Sequence, residues 1–101
     1  MEKQYEVFMG RLGKKPDLRY TPKREAVCYL SVAVNKNEDD KPDWKRVIVW
    51  GKQAELCSVQ LNKGSELFVQ GQKRVREYED KEGNKRSIEE VKARLIGFSN
   101  V

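Results

Sequence analysis

Apolar side chains recur at every second position in several stretches of the chain, as they do in strands that bury one face. Residues 5–12, 26–35 and 44–51 show this spacing, and residues 66–78 form a longer run with Gly71 inside it. A glycine within a strand indicates a bulge or a sharp bend, which a small barrel needs in order to close. The pattern predicts four strands in this part of the chain.

The spacing changes to that of a helix over residues 52–61, where Ala54, Cys57 and Leu61 fall on one side. The segment 62–64 ends in glycine and supplies a C-terminal stop signal. We therefore predict one helix between the third and fourth strands.

The last apolar segment is compatible with two structures. Ser87 and Glu90 fit a helical capping box, and Val91 and Leu95 have i, i+4 spacing. The alternation of Glu89, Val91 and Leu95 also fits a strand that returns from the charged turn 79–85. We favour the strand, because the long strand before it needs a neighbour.

Five strands with one helix between the third and fourth form the OB-fold arrangement, a mainly-β Greek-key barrel. We expect residues 1–101 to form one such domain, with an irregular segment between Lys14 and Pro22. The acidic loop 37–43 is better read as a solvated turn than as a metal site, because no further carboxylate completes a cage.

Composition narrows the range of functions. The 101 residues carry a net charge of +5, which favours a polyanionic partner without proving one. The absence of histidine excludes imidazole-based nucleophile pairs and zinc sites.

Cys28 and Cys57 lie in apolar stretches, so we expect reduced core thiols in a cytoplasmic protein rather than a disulfide. No segment is apolar enough for a membrane span, and no catalytic group, metal or cofactor is indicated.

The third predicted strand separates two kinds of side chain. Trp44, Arg46 and Trp50 fall on one face, whereas Val47 and Val49 fall on the other. The aliphatic face suits a core. Two indoles on the opposite face indicate a surface that something covers.

The fourth predicted strand repeats the mixture of cations and aromatic rings, with Arg74, Arg76 and Tyr78 on one face. Bases stack on aromatic rings and cations neutralise phosphates, so this face fits single-stranded nucleic acid without strong sequence choice. The alternative is that one or both tryptophans lie in a core or a subunit interface.

Four fragments in the right order make the chain resemble bacterial single-stranded DNA-binding proteins over residues 7–96. They are GRLG with PDLRYTP (10–13 and 16–22), WKRVIVWGKQAE (44–55), LNKGS (61–65) and VQGQ (69–72). The resemblance implies an OB-fold that coats and protects single-stranded DNA in replication, repair and recombination. It also implies a nucleoid-associated, non-enzymatic protein, usually a homotetramer.

The resemblance also implies roles for individual residues. The stacking aromatics of the family correspond to Trp44, Trp50 and Tyr78. Its cations along the DNA path correspond to Arg46, Lys52, Arg74 and Arg76, and more loosely to Arg11, Arg19 and Lys63.

The sequence departs from the family pattern at three places. An aromatic in the hairpin after the second predicted strand is replaced by Glu38 or a neighbour, and Lys45 stands where many members have a histidine at a subunit contact. Members usually continue into a flexible tail with an acidic tip that recruits other proteins, and residues 1–101 do not include one. The alternative function is an OB-fold adaptor in primosome assembly, for which protein binding matters more than DNA coverage.

Overall fold

The computed structural model describes residues 4–35 and 42–98, which form six strands and one helix. These elements are β1 (Tyr5–Leu12), β2 (Asp17–Tyr20), β3 (Ala26–Asn35), β4 (Pro42–Trp50), α1 (Lys52–Gln60), β5 (Glu66–Glu79) and β6 (Lys85–Phe98). The five predicted strands and the helix between the third and fourth of them are confirmed. The ambiguous last segment is a strand, because it pairs with β5 along almost its whole length.

The segment predicted to be irregular contains the additional strand β2, so that prediction was wrong in part. Its four residues pair with the first half of β3, from Asp17 opposite Tyr29 to Tyr20 opposite Ala26. β2 pairs with β3 and lies at the end of the strand order. It is therefore a short edge strand that extends the sheet.

The sheet closes on itself. Its strand order is β1-β5-β6-β4-β3-β2, and β1 pairs in addition with β3 through Arg11 and Leu12. Most neighbours are antiparallel, whereas β4 and β6 form a short parallel contact at Val47 and Val91. The result is the mainly-β, OB-type barrel that the sequence predicts.

Gly71 allows the long strand β5 to bend. The pairing register between β5 and β6 shifts between Gln70 and Gly71, which is the bulge that the sequence predicts. A Cβ on Gly71 would overlap the backbone carbonyl of Lys92 on β6. Only glycine therefore permits this close approach of the two backbones.

The barrel encloses a core of mainly aliphatic side chains from β1, β3, β4, β5, β6 and α1, and Leu18 of β2 packs against it. Leu30, Val47, Val49, Leu67 and Val69 are among its most deeply buried members. Cys28 and Cys57 are free thiols within it, as predicted, and burial raises the pKa of each to about 11. Both thiols therefore stay protonated and unreactive at neutral pH.

Helix α1 covers one end of the barrel. Ala54, Cys57 and the following Leu61 are buried, as their spacing predicts. Gln53 ties the helix to β6: its side chain donates to the carbonyl of Arg94 at 3.0 Å and accepts from the amide of Ile96 at 3.1 Å. Nowhere in residues 4–35 and 42–98 is there a helix with the length and apolarity to cross a membrane.

Candidate nucleic-acid interface

The two faces of β4 differ as the sequence predicts. Val47 and Val49 are completely buried in the barrel, whereas Trp44 is 56% exposed and Trp50 39% exposed. Arg46 lies between the two indoles on the same outer face and is also exposed. The tryptophans are therefore not core residues of this chain.

The outer face of β4 forms the floor of an open groove of about 1070 Å³. On one side of β4, strand pairing extends this floor onto β3: Ser31 lies opposite Arg46, and Tyr29 lies opposite Ile48. On the other side, the parallel contact with β6 brings Glu90 and Lys92 to the groove, and β5 adds Arg74 and Arg76.

The groove carries most of the net charge of the protein. Its walls hold seven cationic side chains against three acidic ones, a net charge of +4, whereas the whole chain has +5. The cations are Lys14, Arg19, Lys45, Arg46, Arg74, Arg76 and Lys92. Charge concentrated in a cleft attracts an anionic ligand more strongly than the same charge spread over the surface.

Trp44 is held against the turn that follows β1. A Cβ on Gly13 would overlap the six-membered ring of the indole, so the ring lies directly on the backbone of this turn. Gly13 therefore fixes the position of Trp44 at one end of the groove while leaving more than half of the side chain exposed.

An acidic side chain lies beneath the two central arginines. Glu90 is 5% exposed. Arg76 Nε donates a 2.9 Å hydrogen bond to Glu90 Oε1, and this bond raises the pKa of Arg76. Arg46 Nε lies 3.4 Å from Glu90 Oε2. Glu90 thus links cations that come from two different strands.

Residues 5–99 match the model of the Single-strand binding protein family. The chain belongs to that family. Membership implies that the protein binds single-stranded DNA, and the proteins of this family are non-enzymatic binding proteins. Within residues 4–35 and 42–98, the groove of β4 combines exposed aromatic rings with cations.

Most of the site residues predicted from the sequence come together in the groove. Trp44, Arg46, Trp50, Arg74, Arg76 and Arg19 all line it. Tyr78 lies beyond its edge on the β5–β6 hairpin, where the guanidinium of Arg76 is 6.0 Å from the centre of its ring. The path of DNA across these residues remains a prediction.

Three predicted cations lie outside the groove. Arg11 pairs with Glu66 at 3.2 Å and donates to the carbonyl of Gly64, Lys52 is the first residue of α1, and Lys63 lies in the turn after that helix. Their contact with DNA stays a prediction. The missing aromatic at Glu38 falls outside the residues that the structure describes.

The structure adds Tyr29 to the residues predicted from the sequence. Its ring lines the groove next to Ile48, and the guanidinium of Arg19 lies 5.7 Å from the ring centre. Arg19 is itself held by Asp17 at 3.0 Å, which raises the pKa of Arg19. Alternation separates Tyr29 from Cys28 and Leu30 along its strand, but only the pairing with β4 shows that Tyr29 lies beside the groove.

The partly buried ammonium of Lys45 lies near two carboxylates and an aromatic ring. Its ammonium lies 3.5 Å from Glu6 Oε1 and 3.7 Å from Asp43 Oδ2, and 5.8 Å from the centre of the Phe8 ring. A partly buried lysine would be costly without such carboxylates. The replacement of the family's histidine by lysine is therefore compensated within the chain.

Proposed function

We propose that this protein coats single-stranded DNA without sequence preference and protects it during replication, repair and recombination. The observation that carries the proposal is the arrangement of Trp44, Arg46 and Trp50 on one exposed face of a basic groove. Each part of that arrangement matches one part of a single strand.

The aromatic rings match the bases. A base in a single strand exposes both π-faces, and stacking on an aromatic side chain contributes roughly 1–3 kcal/mol per base. Every base has a π-face, so rings such as Trp44 and Trp50 bind any sequence. In a duplex the base faces are already covered by their neighbours, which makes the same rings selective for single strands.

The cations match the backbone. Arg74 makes no ion pair within the described part of the chain, and its exposed side chain lines the groove. Arg46, Arg76 and Lys92 line the same groove. Neutralising phosphates releases counterions, so we expect the affinity to fall steeply as salt is added.

We also propose that the protein acts as a homo-oligomer, with a tetramer favoured, formed around β1. Tyr5, Val7 and Met9 point outwards from this strand, and each is more than half exposed. A chain of 101 residues with a modest core gains stability from covering such a face. A second copy of β1 is apolar in the same places and matches it.

Intrinsic fluorescence tests the DNA-binding proposal directly, because the two tryptophans of the chain both lie in the groove. Adding oligo-dT should quench the tryptophan emission strongly, whereas a duplex of equal length should not. Equal quenching by both would refute stacking on the indoles. Quenching that appears only at weak affinity would favour the adaptor function instead.

A further inference from the structure

A nearly buried acidic residue is unexpected in a groove that attracts a polyanion. Among residues 4–35 and 42–98, Glu90 is the one charged residue that is almost completely buried, and it lines the groove. Its two oxygens face cations from two strands: Oε1 accepts from Arg76 Nε, and Oε2 lies near Arg46 Nε.

Breaking these pairs would be costly. Oε2 is buried and accepts no hydrogen bond among the described residues, so the ion pair with Arg46 is its compensation there. Removing one partner of a buried charge leaves that charge unpaired, which is strongly destabilising. A phosphate that drew Arg46 away from Glu90 would incur this cost. The pairs should therefore persist when DNA binds.

The arginines can serve both groups at once. A guanidinium has five N–H donors, and Nε is the nitrogen nearest to Glu90 in both residues. The side chains of Arg46 and Arg76 remain 47% and 55% exposed, so other donors are open to the groove. A long side chain that is already anchored loses less rotamer freedom when it binds a ligand.

We infer that Glu90 is a positioning residue for the phosphodiester backbone: it anchors Arg46 and Arg76 so that their remaining N–H groups face the phosphates. The inference rests on the proposed binding of single-stranded DNA. It also implies that the acidic side chain is not simply a negative charge that DNA must overcome.

Two variants separate positioning from charge. Glu90→Gln keeps the shape of the side chain and, by removing one negative charge, raises the net charge by one. Glu55→Gln changes the net charge equally at an exposed residue of α1 that does not line the groove. Oligo-dT affinity is measured for both variants and the wild type at several salt concentrations and extrapolated to 1 M, where counterion release contributes little.

We expect E90Q to bind roughly 3- to 10-fold more weakly than wild type at 1 M, about the value of one hydrogen bond, with no decrease in salt slope. E55Q should match wild type at 1 M. In a protein carrying Arg76→Met, the further E90Q replacement should have a smaller effect. An E90Q affinity at 1 M equal to or above that of E55Q would overturn the positioning role.

The wild-type protein supplies a measurement that does not depend on the folding of a variant. The Nε–Hε signals of Arg46 and Arg76 in ¹H–¹⁵N spectra should keep their paired positions when oligo-dT is added. Loss of both paired signals on binding would overturn the inference while leaving the DNA-binding function standing. If the wild type quenches with neither oligo-dT nor duplex, the proposed function and this inference fail together.

Discussion

The groove on β4 and the outer face of β1 both expose large apolar side chains, but their surroundings differ. In the groove, Trp44 and Trp50 alternate with Arg46 and face cations from β5 and β6. On β1, the residues opposite Tyr5, Val7 and Met9 in β5 are Gln72, Gln70 and Phe68, none of them charged. Beyond Gln70 lies Leu95 of β6, which is also exposed.

This difference indicates which partner each surface fits. Exposed aromatic rings among cations fit a ligand in which flat, apolar groups alternate with anionic ones. A single DNA strand, with its bases and phosphates, is such a ligand. Tyr5, Val7 and Met9, whose partners on β5 are neutral, suit another apolar protein surface, because interface cores are depleted of charge. Exposure alone would not distinguish the two surfaces, whereas the neighbouring charges do.

The largest expected effect comes from placing a charge on the β1 face. Val7→Lys should dissociate the oligomer, because a lysine in an apolar interface would be desolvated without a partner. Light scattering at micromolar concentration should show a lower mass, and binding to long oligo-dT should weaken roughly tenfold or more through lost multivalency.

The matched control is Val59→Lys, which makes the same replacement at an exposed valine of α1. It should leave the mass and the affinity unchanged. A wild-type protein that is monomeric at this concentration would contradict the assignment of the β1 face to a second copy.

A smaller effect is expected when Tyr29 is replaced, and this replacement tests how far the DNA-binding groove extends. Tyr29→Leu should weaken oligo-dT binding roughly fivefold, near the lower end of what one stacked base contributes. Tyr20→Leu is the control, because Tyr20 is an exposed tyrosine of the adjacent strand β2 that does not line the groove. Equal affinities of the two variants in fluorescence titrations would remove Tyr29 from the site.

The sequence allowed the faces of β4 to be predicted because its two sets of alternating residues differ in chemistry. Tyr29 gave no such signal, since its companions Ser31 and Ala33 on the outer face of β3 are small and uncharged. Its place in the groove follows from cross-strand pairing, which alternation within one strand does not contain.

Glu90 was missed for a related reason. Its arginine partners are on β4 and β5, and the second of them is 14 residues away across a hairpin. Local sequence instead made Glu90 fit a helical capping box. The short strand β2 was missed because four residues between prolines carry too little alternation to be distinguished from a turn.

A difference in salt slope tests the central claim most directly, because it separates stacking from charge within the groove. Trp44→Ala should weaken oligo-dT binding by roughly 1–3 kcal/mol and leave the slope of log K against log salt unchanged. Arg74→Ala should also weaken binding, but should reduce the slope by about 0.7 for the lost phosphate contact. If Trp44→Ala binds normally and only melts at a lower temperature, the indole is structural and the groove does not bind DNA by stacking on it.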